Sequence, residues 1–421
     1  MKKFINVRLK GSQNLNSIYV ENGMIRKIML GTSEDNSLGG EDCETIDVEG
    51  HLVVPPYVDP HLHLDYVFTA GLGENNGSGT LFEGIQRWSE SKGHMTVPEM
   101  KERIYRGIRK EMLHGVQAIR THIDVTDPSF TGLKAALEVR EEVKDILDLQ
   151  IVAFPQEGMY AYKGGDELVE EGLKMGADCV GAIPHFELAR EFGEKSIHKT
   201  VELALKYDKL IDVHCDETDD TQSRFLELLN ALVLMEGIGT KTTASHTCSF
   251  GSADNSYAFR MMKLFKKSGI NFISCPTENI YLEGHQDSYP KRRGLTRVKE
   301  LHDQGINVCF AQDSMSDPWY PLGNGNMMMI LDHGIHIAQM MSPEEIQDDL
   351  DLVTTNGAIT MHIQDRYGID EGKPANFIVL DAKSEFDAIC ERADILASVR
   401  KGEYLFQKEP AKVIGAIDLL K

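Results

Sequence analysis

The stretch VDPHLHLD (58–65) closes a run of apolar and β-branched residues, HLVVPPYVDPHLHLD (51–65), with two histidines one position apart. Side chains alternate between faces along an extended strand, so His61 and His63 point to the same side. Two imidazoles placed together at a strand exit, flanked by Asp59 and Asp65, can grip one cation. Seven further runs follow: AIRTHIDV (118–125), IVAFPQ (151–156), CVGAIPH (179–185), IDVHCDE (211–217), TTASHT (242–247), NFISCP (271–276) and INVCFAQD (306–313). Between them lie segments of helical period, such as PEMKERIYRGIRKEMLHG (98–115) and GLKAALEVREEVKDIL (132–147). Eight strands, each followed by a helix, specify an α/β fold closed as a (β/α)8 TIM barrel rather than an open sheet.

Outward from the barrel, both ends of the chain read as short strands with turns. INVRL, SIYVENG, MIRKIML and ETIDVEG fill residues 1–50, and NFIVLDA (376–382), ILASVRKGEYLF (395–406) and AKVIGAIDLL (411–420) fill the far end. The expected organisation is a small β-sandwich built from residues 1–52 and 371–421, with the catalytic barrel (53–370) inserted between them.

With 44 Lys+Arg against 66 Asp+Glu, the 421-residue chain carries a net charge of −22. So acidic a surface repels a phosphate backbone, which disfavours a nucleic-acid partner or an anionic membrane. No run of 18 apolar residues is present to span a bilayer. The start, MKKFINVRLKG, lacks the apolar stretch and cleavage site of a signal peptide. Seven cysteines are scattered without a CxxC pair, so neither a disulfide framework nor a thiolate zinc site is expected. The expected compartment is the reducing cytoplasm.

Polar residues collect at the C-terminal ends of the predicted strands, the face on which barrel active sites are built. His214 ends the fifth strand and Asp313 the eighth. They add a nitrogen and an oxygen to His61 and His63, a donor set that suits one divalent ion, Zn²⁺ or Fe²⁺. Such an ion lowers the pKa of a bound water from 15.7 to about 7. Glu217, three residues after His214, can act as general acid and base toward a ring nitrogen and a departing amine. His246, ending the sixth strand, can steer the attacking hydroxide or stabilise a tetrahedral intermediate. Gln156 can pair its amide with an N–C=O edge. Phe154, Leu81 and Trp319 are candidate pocket walls. The remaining histidines, His122 and His185 among them, show no comparable ligand arrangement and read as interior or surface residues. Neither a phosphate loop nor a dinucleotide fingerprint is found, nor the H-x-E…P-C-x-x-C signature of the zinc nucleotide deaminases.

VDPHLHLD, HCDETDDTQSRF (214–225), ASHT (244–247), GINFISCPTENI (269–280), YPKRRGLTRVKEL (289–301) and DSMSDPWYPLGNGNM (313–327) resemble the bacterial cytosine deaminase branch of the amidohydrolase superfamily. The likeness runs from about residue 50 to 380. It implies one divalent metal on His61, His63, His214 and Asp313, with Glu217 as proton shuttle and His246 as orienting residue. Gln156 would be the substrate amide contact and Trp319 a pocket wall, in a homo-oligomer that is often a hexamer. CVGAIPH has no lysine for a carbamate bridge, so a mononuclear site follows. The implied reaction is hydrolytic deamination of a small cyclic amidine to the keto product plus ammonia.

Cytosine deaminases proper read His-Asp-Asp where this chain has Gln312-Asp313-Ser314. In that family the second position lies near the ring edge next to the attacked carbon, so the resemblance implies that Ser in place of Asp removes a charge and some volume there, leaving room for a methyl-sized group. Cytosine, 5-methylcytosine and creatinine all present a carbonyl, a ring nitrogen and then the amidine carbon, and all three remain open as substrates, with isoguanine. A single methyl is worth only about 1–3 kcal/mol of discrimination. Opening of a cyclic amide and a catalytically silent scaffold are the rival readings.

Overall fold

The computed structural model describes residues 1–31 and 43–411, so the strand expected over 411–420 lies, but for Ala411, outside the described residues. The chain divides into two compact units, residues 1–56 with 368–421, and residues 57–367. The first is a sheet made by both ends of the chain. Its N-terminal members are β1 (Lys2–Leu9), β2 (Leu15–Glu21), β3 (Met24–Leu30), β4 (Glu44–Asp47) and β5 (Leu52–Val54).

The second unit carries β6 (Tyr57–Leu62), β7 (Val116–Asp124), β8 (Asp148–Phe154), β9 (Cys179–Ala182), β10 (Leu210–Cys215), β11 (Thr242–His246), β12 (Asn271–Ser274) and β13 (Val308–Phe310). The chain then returns to the first unit as β14 (Phe377–Leu380), β15 (Ile395–Arg400) and β16 (Glu403–Gln407). There the strand order is β16-β15-β14-β5-β1-β2-β3, with β4 added to β1. Phe4 and Phe377 meet edge to face at 5.0 Å in a core of Val, Ile and Phe from both ends of the chain. Because β5 pairs with β1 and with β14, the terminal sheet runs to Val54, and the compact unit ends at Pro56.

In the second unit eight parallel strands run in sequence order from β6 to β13, with helices between them. Every residue of β6, β7 and β10 to β13 is buried except Leu210, as expected of a parallel sheet covered on both faces. The barrel closes through a parallel bridge between Leu62 and Asp313. There Asp313 donates its N–H to the His61 carbonyl (2.8 Å) and His63 donates to the Asp313 carbonyl (3.2 Å). Register brings the strand exits level: Cys215 pairs with His246, and Asp124 with Phe154. No helix among the described residues is long and apolar enough to cross a membrane.

Candidate metal centre and active site

Three strand exits, those of β6, β10 and β13, deliver the four metal-ligand candidates to one point. His214 Nε2 lies 3.2 Å from His61 Nε2 and 3.0 Å from His63 Nε2. Asp313 Oδ1 lies 3.5 Å and 3.4 Å from the same two nitrogens. All four side chains are buried, and their ligand atoms lie within 4.8 Å of one another.

Burial, reinforced by neighbouring imidazoles, holds His61, His63 and His214 well below the ordinary histidine range, so they are neutral. Burial, with Asp317 and Asp59 nearby, pushes the Asp313 carboxyl well up. Three neutral imidazoles turning nitrogen lone pairs on a common point repel one another. A cation at that point reverses the repulsion and restores the carboxylate charge. The donor set therefore fits a divalent metal.

The ring behind His61 is fixed by a chain of buried polar groups. Ser245 Oγ donates to Asp212 Oδ1 (2.6 Å) and so accepts from His61 Nδ1 (3.0 Å). The His61 proton thus sits on Nδ1 and the lone pair of Nε2 faces the cluster. Asp212 is held by Arg120 Nη1 at 2.9 Å, and Arg120 is spent further on Thr243, Gln150 and the Thr360 carbonyl. Ser245→Ala is expected to weaken metal binding by about 10–100-fold with the fold intact. A competition titration against a chromogenic chelator reads this directly, and wild-type affinity in the variant would rule the relay out.

On the opposite side, Asn279 joins Glu217 to His246. Its Nδ2 donates to Glu217 Oε1 (2.9 Å) and its Oδ1 accepts from His246 Nδ1 (3.2 Å). His246 Nδ1 also lies 3.4 Å from Glu217 Oε1, and its Nε2 is buried without a partner. Burial pushes the Glu217 carboxyl well above its ordinary value, with Asp313 and Glu283 adding to the effect. Burial brings His246 down to about 3. Asp216, His246 and Asp313 adopt left-handed backbone (φ 53°, 65° and 66°), so three strand exits turn sharply at the site. Strained backbone of this kind collects where function over-determines geometry.

Aromatic rings line the rest. Phe154 stacks on His214 at 4.0 Å and 18°. Trp319 lies against Tyr66 (4.4 Å), which stacks on His63 (4.5 Å, 15°). Trp319 Nε1 donates to the Leu81 carbonyl at 3.1 Å, and any Cβ on Gly84 would fall 2.4 Å from that nitrogen. Glycine at 84 is what lets helix Leu81–Lys92 lie on the indole. Gln156 Oε1 is buried without a partner. Gln312 turns away: its Nε2 donates to the Ser314 carbonyl and its Oε1 accepts from the Gly325 N–H. Ser314 is buried beside the carboxyl groups of Glu278 and Asp317.

The reading of His122 as an ordinary interior residue is corrected by its position. Its ring lies 4.0 Å from that of His61, and its Nε2 lies 3.5 Å from Asp212 Oδ1. With His61 and Asp212 it forms a second group of potential ligands. Asn279, Glu278, Tyr66 and Asp212 were also not singled out by sequence. The alternation in AIRTHIDV carried the signal for His122, which shares a face with Arg120 and Asp124.

Residues 44–403 match the model of the Amidohydrolase family. The crystal structure of 5-methylcytosine deaminase from Klebsiella pneumoniae liganded with phosphonocytosine superposes with a TM-score of 0.94 at 49% identity, covering 98% of this chain and 100% of that one. The same enzyme liganded with 5-fluorocytosine gives 0.95 at 49% identity, covering 98% and 99%. The N-isopropylammelide isopropyl amidohydrolase of Pseudomonas sp. (strain ADP) is 29% identical over 381 residues, 87% of this chain and 89% of the relative.

Proposed function

The chain belongs to the amidohydrolase family, and from that premise we propose that it hydrolytically deaminates a small cyclic amidine, cytosine or 5-methylcytosine, to the keto product and ammonia. One observation carries the reading. A buried, proton-bearing Glu217 stands beside a four-donor metal cluster, in a chain 49% identical to a 5-methylcytosine deaminase.

His61, His63, His214 and Asp313 would hold one divalent ion, zinc or ferrous iron. When bound, the ion supplies Lewis acidity and brings the pKa of water toward 7. Gln156 pairs its amide with the N–C=O edge of the ring. Phe154, Leu81 and Trp319 wall the ring and exclude water. Glu217 protonates the ring nitrogen next to the amidine carbon, which makes that carbon electrophilic. Asp313 takes up a proton from the attacking water. His246, its Nδ1 tied to Asn279, orients the incoming oxygen and steadies it on the tetrahedral carbon. Glu217, left as a carboxylate, then takes the proton of the new C–OH group and passes it to the amine; the C–N bond breaks as the C=O forms, ammonia leaves, and the proton held on Asp313 returns to Glu217. The proposal extends to a cytoplasmic homo-oligomer, in keeping with seven free cysteines.

The test is ammonia release from cytosine, 5-methylcytosine, creatinine and isoguanine by metal-loaded protein, each with its kcat/KM. Release from one of the two pyrimidines with the highest kcat/KM supports the reading. Preference for creatinine or isoguanine would move the substrate, and no ammonia from any would end it.

A further inference from the structure

Lys92 ends the helix Leu81–Lys92, and only 11% of its side chain is exposed. Its ammonium reaches two neighbouring strand exits. At the end of β7 it donates to Asp124 Oδ2 (2.7 Å) and Thr126 Oγ1 (3.0 Å), and beyond β8 to Glu157 Oε1 (2.5 Å). Burial works against the charge, but Asp124 and Glu157 outweigh it and hold the ammonium above the ordinary lysine range. Charge-assisted hydrogen bonds of this kind are short and strong, and half-buried ones escape most of the screening that weakens surface pairs.

Asp124 is the hub of this contact. Trp88 Nε1, on the same helix, also donates to its Oδ2 (2.9 Å), while its Oδ1 accepts from the N–H groups of Thr126 (2.8 Å) and Gln156 (3.4 Å). Gln156 and Glu157 are the two central residues of a turn that Gly158 closes by donating its N–H to the Pro155 carbonyl (2.9 Å). The turn is therefore held twice, at Gln156 through its backbone by Asp124 and at Glu157 through its carboxylate by Lys92. Gln156 Oε1 is buried without a partner, so the place of the amide follows from the backbone beneath it. The first residue of the same helix, Leu81, receives the indole N–H of Trp319 on its carbonyl (3.1 Å). One helix thus touches two of the groups assigned to the substrate pocket.

We propose that Lys92 is a positioning residue for substrate binding: by fastening the helix Leu81–Lys92 to Asp124 and Glu157 it fixes the Pro155–Gly158 turn and so places the Gln156 amide against the N–C=O edge of the substrate. The inference rests on the deaminase reading and on Gln156 as its amide contact. A staple between helix and barrel would affect stability alone, whereas a positioning role acts on substrate affinity through Gln156. Supporting residues that lock a binding group in its productive geometry act in this way without touching the ligand.

The experiment measures kcat and KM for cytosine and 5-methylcytosine with metal-loaded wild type, Lys92→Met, Gln156→Ala and the double variant. Lys92→Met keeps the stem and loses the charge. Its KM is expected to rise about tenfold or more with kcat within about threefold, because binding is lost alike in ground and transition states. In the Gln156→Ala background the same substitution is expected to change KM by less than about twofold, since the group it positions is gone. Should Lys92→Met fail to fold, Glu157→Ala carries the test. It leaves Lys92 on Asp124, and KM is expected to rise about threefold or more, again only while Gln156 is present. An unchanged KM in the folded single variant, even with a lowered Tm, or an equal rise with and without Gln156, overturns the positioning role and leaves the deaminase standing. Wild-type KM in Gln156→Ala removes the amide contact and this inference with it. No ammonia from either pyrimidine with the wild type overturns the deaminase reading itself.

Discussion

Glu217→Gln is expected to lower kcat by about 10²–10⁴-fold while the protein still carries one metal ion per chain. Glutamine keeps the shape of glutamate, and its Oε1 can still accept the 2.9 Å hydrogen bond from Asn279. What it cannot do is give a proton to a ring nitrogen and later hand one to an amine. Burial already keeps the Glu217 carboxyl protonated well above the ordinary carboxylate range, so the wild-type side chain starts as a donor. The loss should therefore appear in kcat with KM nearly unchanged. Steady-state ammonia release with a metal assay on the same samples decides it. Turnover near the wild-type value would remove Glu217 from the chemistry.

Removing the metal is expected to abolish turnover, and resupply of Zn²⁺ or Fe²⁺ to restore it. Lowering the pKa of water from 15.7 to about 7 is worth about 12 kcal/mol at ~1.36 kcal/mol per unit, more than the buried side chains can provide. His214→Ala should behave as permanently metal-depleted protein, because His214 Nε2 is the atom that both His61 and His63 approach within 3.2 Å. Chelation, dialysis and assay before and after adding metal give the answer. Full activity in protein shown to be metal-free would dismiss the cluster as a catalytic centre.

The barrel was legible because parallel strands covered on both faces are mostly apolar and β-branched, so each appears as a short run of that kind. The ligands were legible because His61, His63, His214 and Asp313 interrupt those runs at one end, where apolar packing has no use for them. Asp212 and Arg120 escaped notice for the opposite reason. They lie inside strands, where a charged residue gives no hint of its partner, and they come together only when β7 and β10 face each other across the barrel (2.9 Å). Glu278 and Asn279 sit in CPTEN, which reads as the opening of a helix. Their turn toward Ser314, Glu217 and His246 depends on packing that no local pattern encodes. Leu52–Val54 belongs to the terminal sheet, although in the sequence it runs directly into the barrel strand that follows it.

The first and last strands of the barrel meet at a single bridge between Leu62 and Asp313. His61 and His63 stand on one side of that join, Asp313 on the other, and His214 across the ring. An ion held by all four would work as a clasp on a hoop, fastening its first stave to its last. Protein stripped of the metal would then be folded but looser at this join, with a lower Tm as well as no turnover.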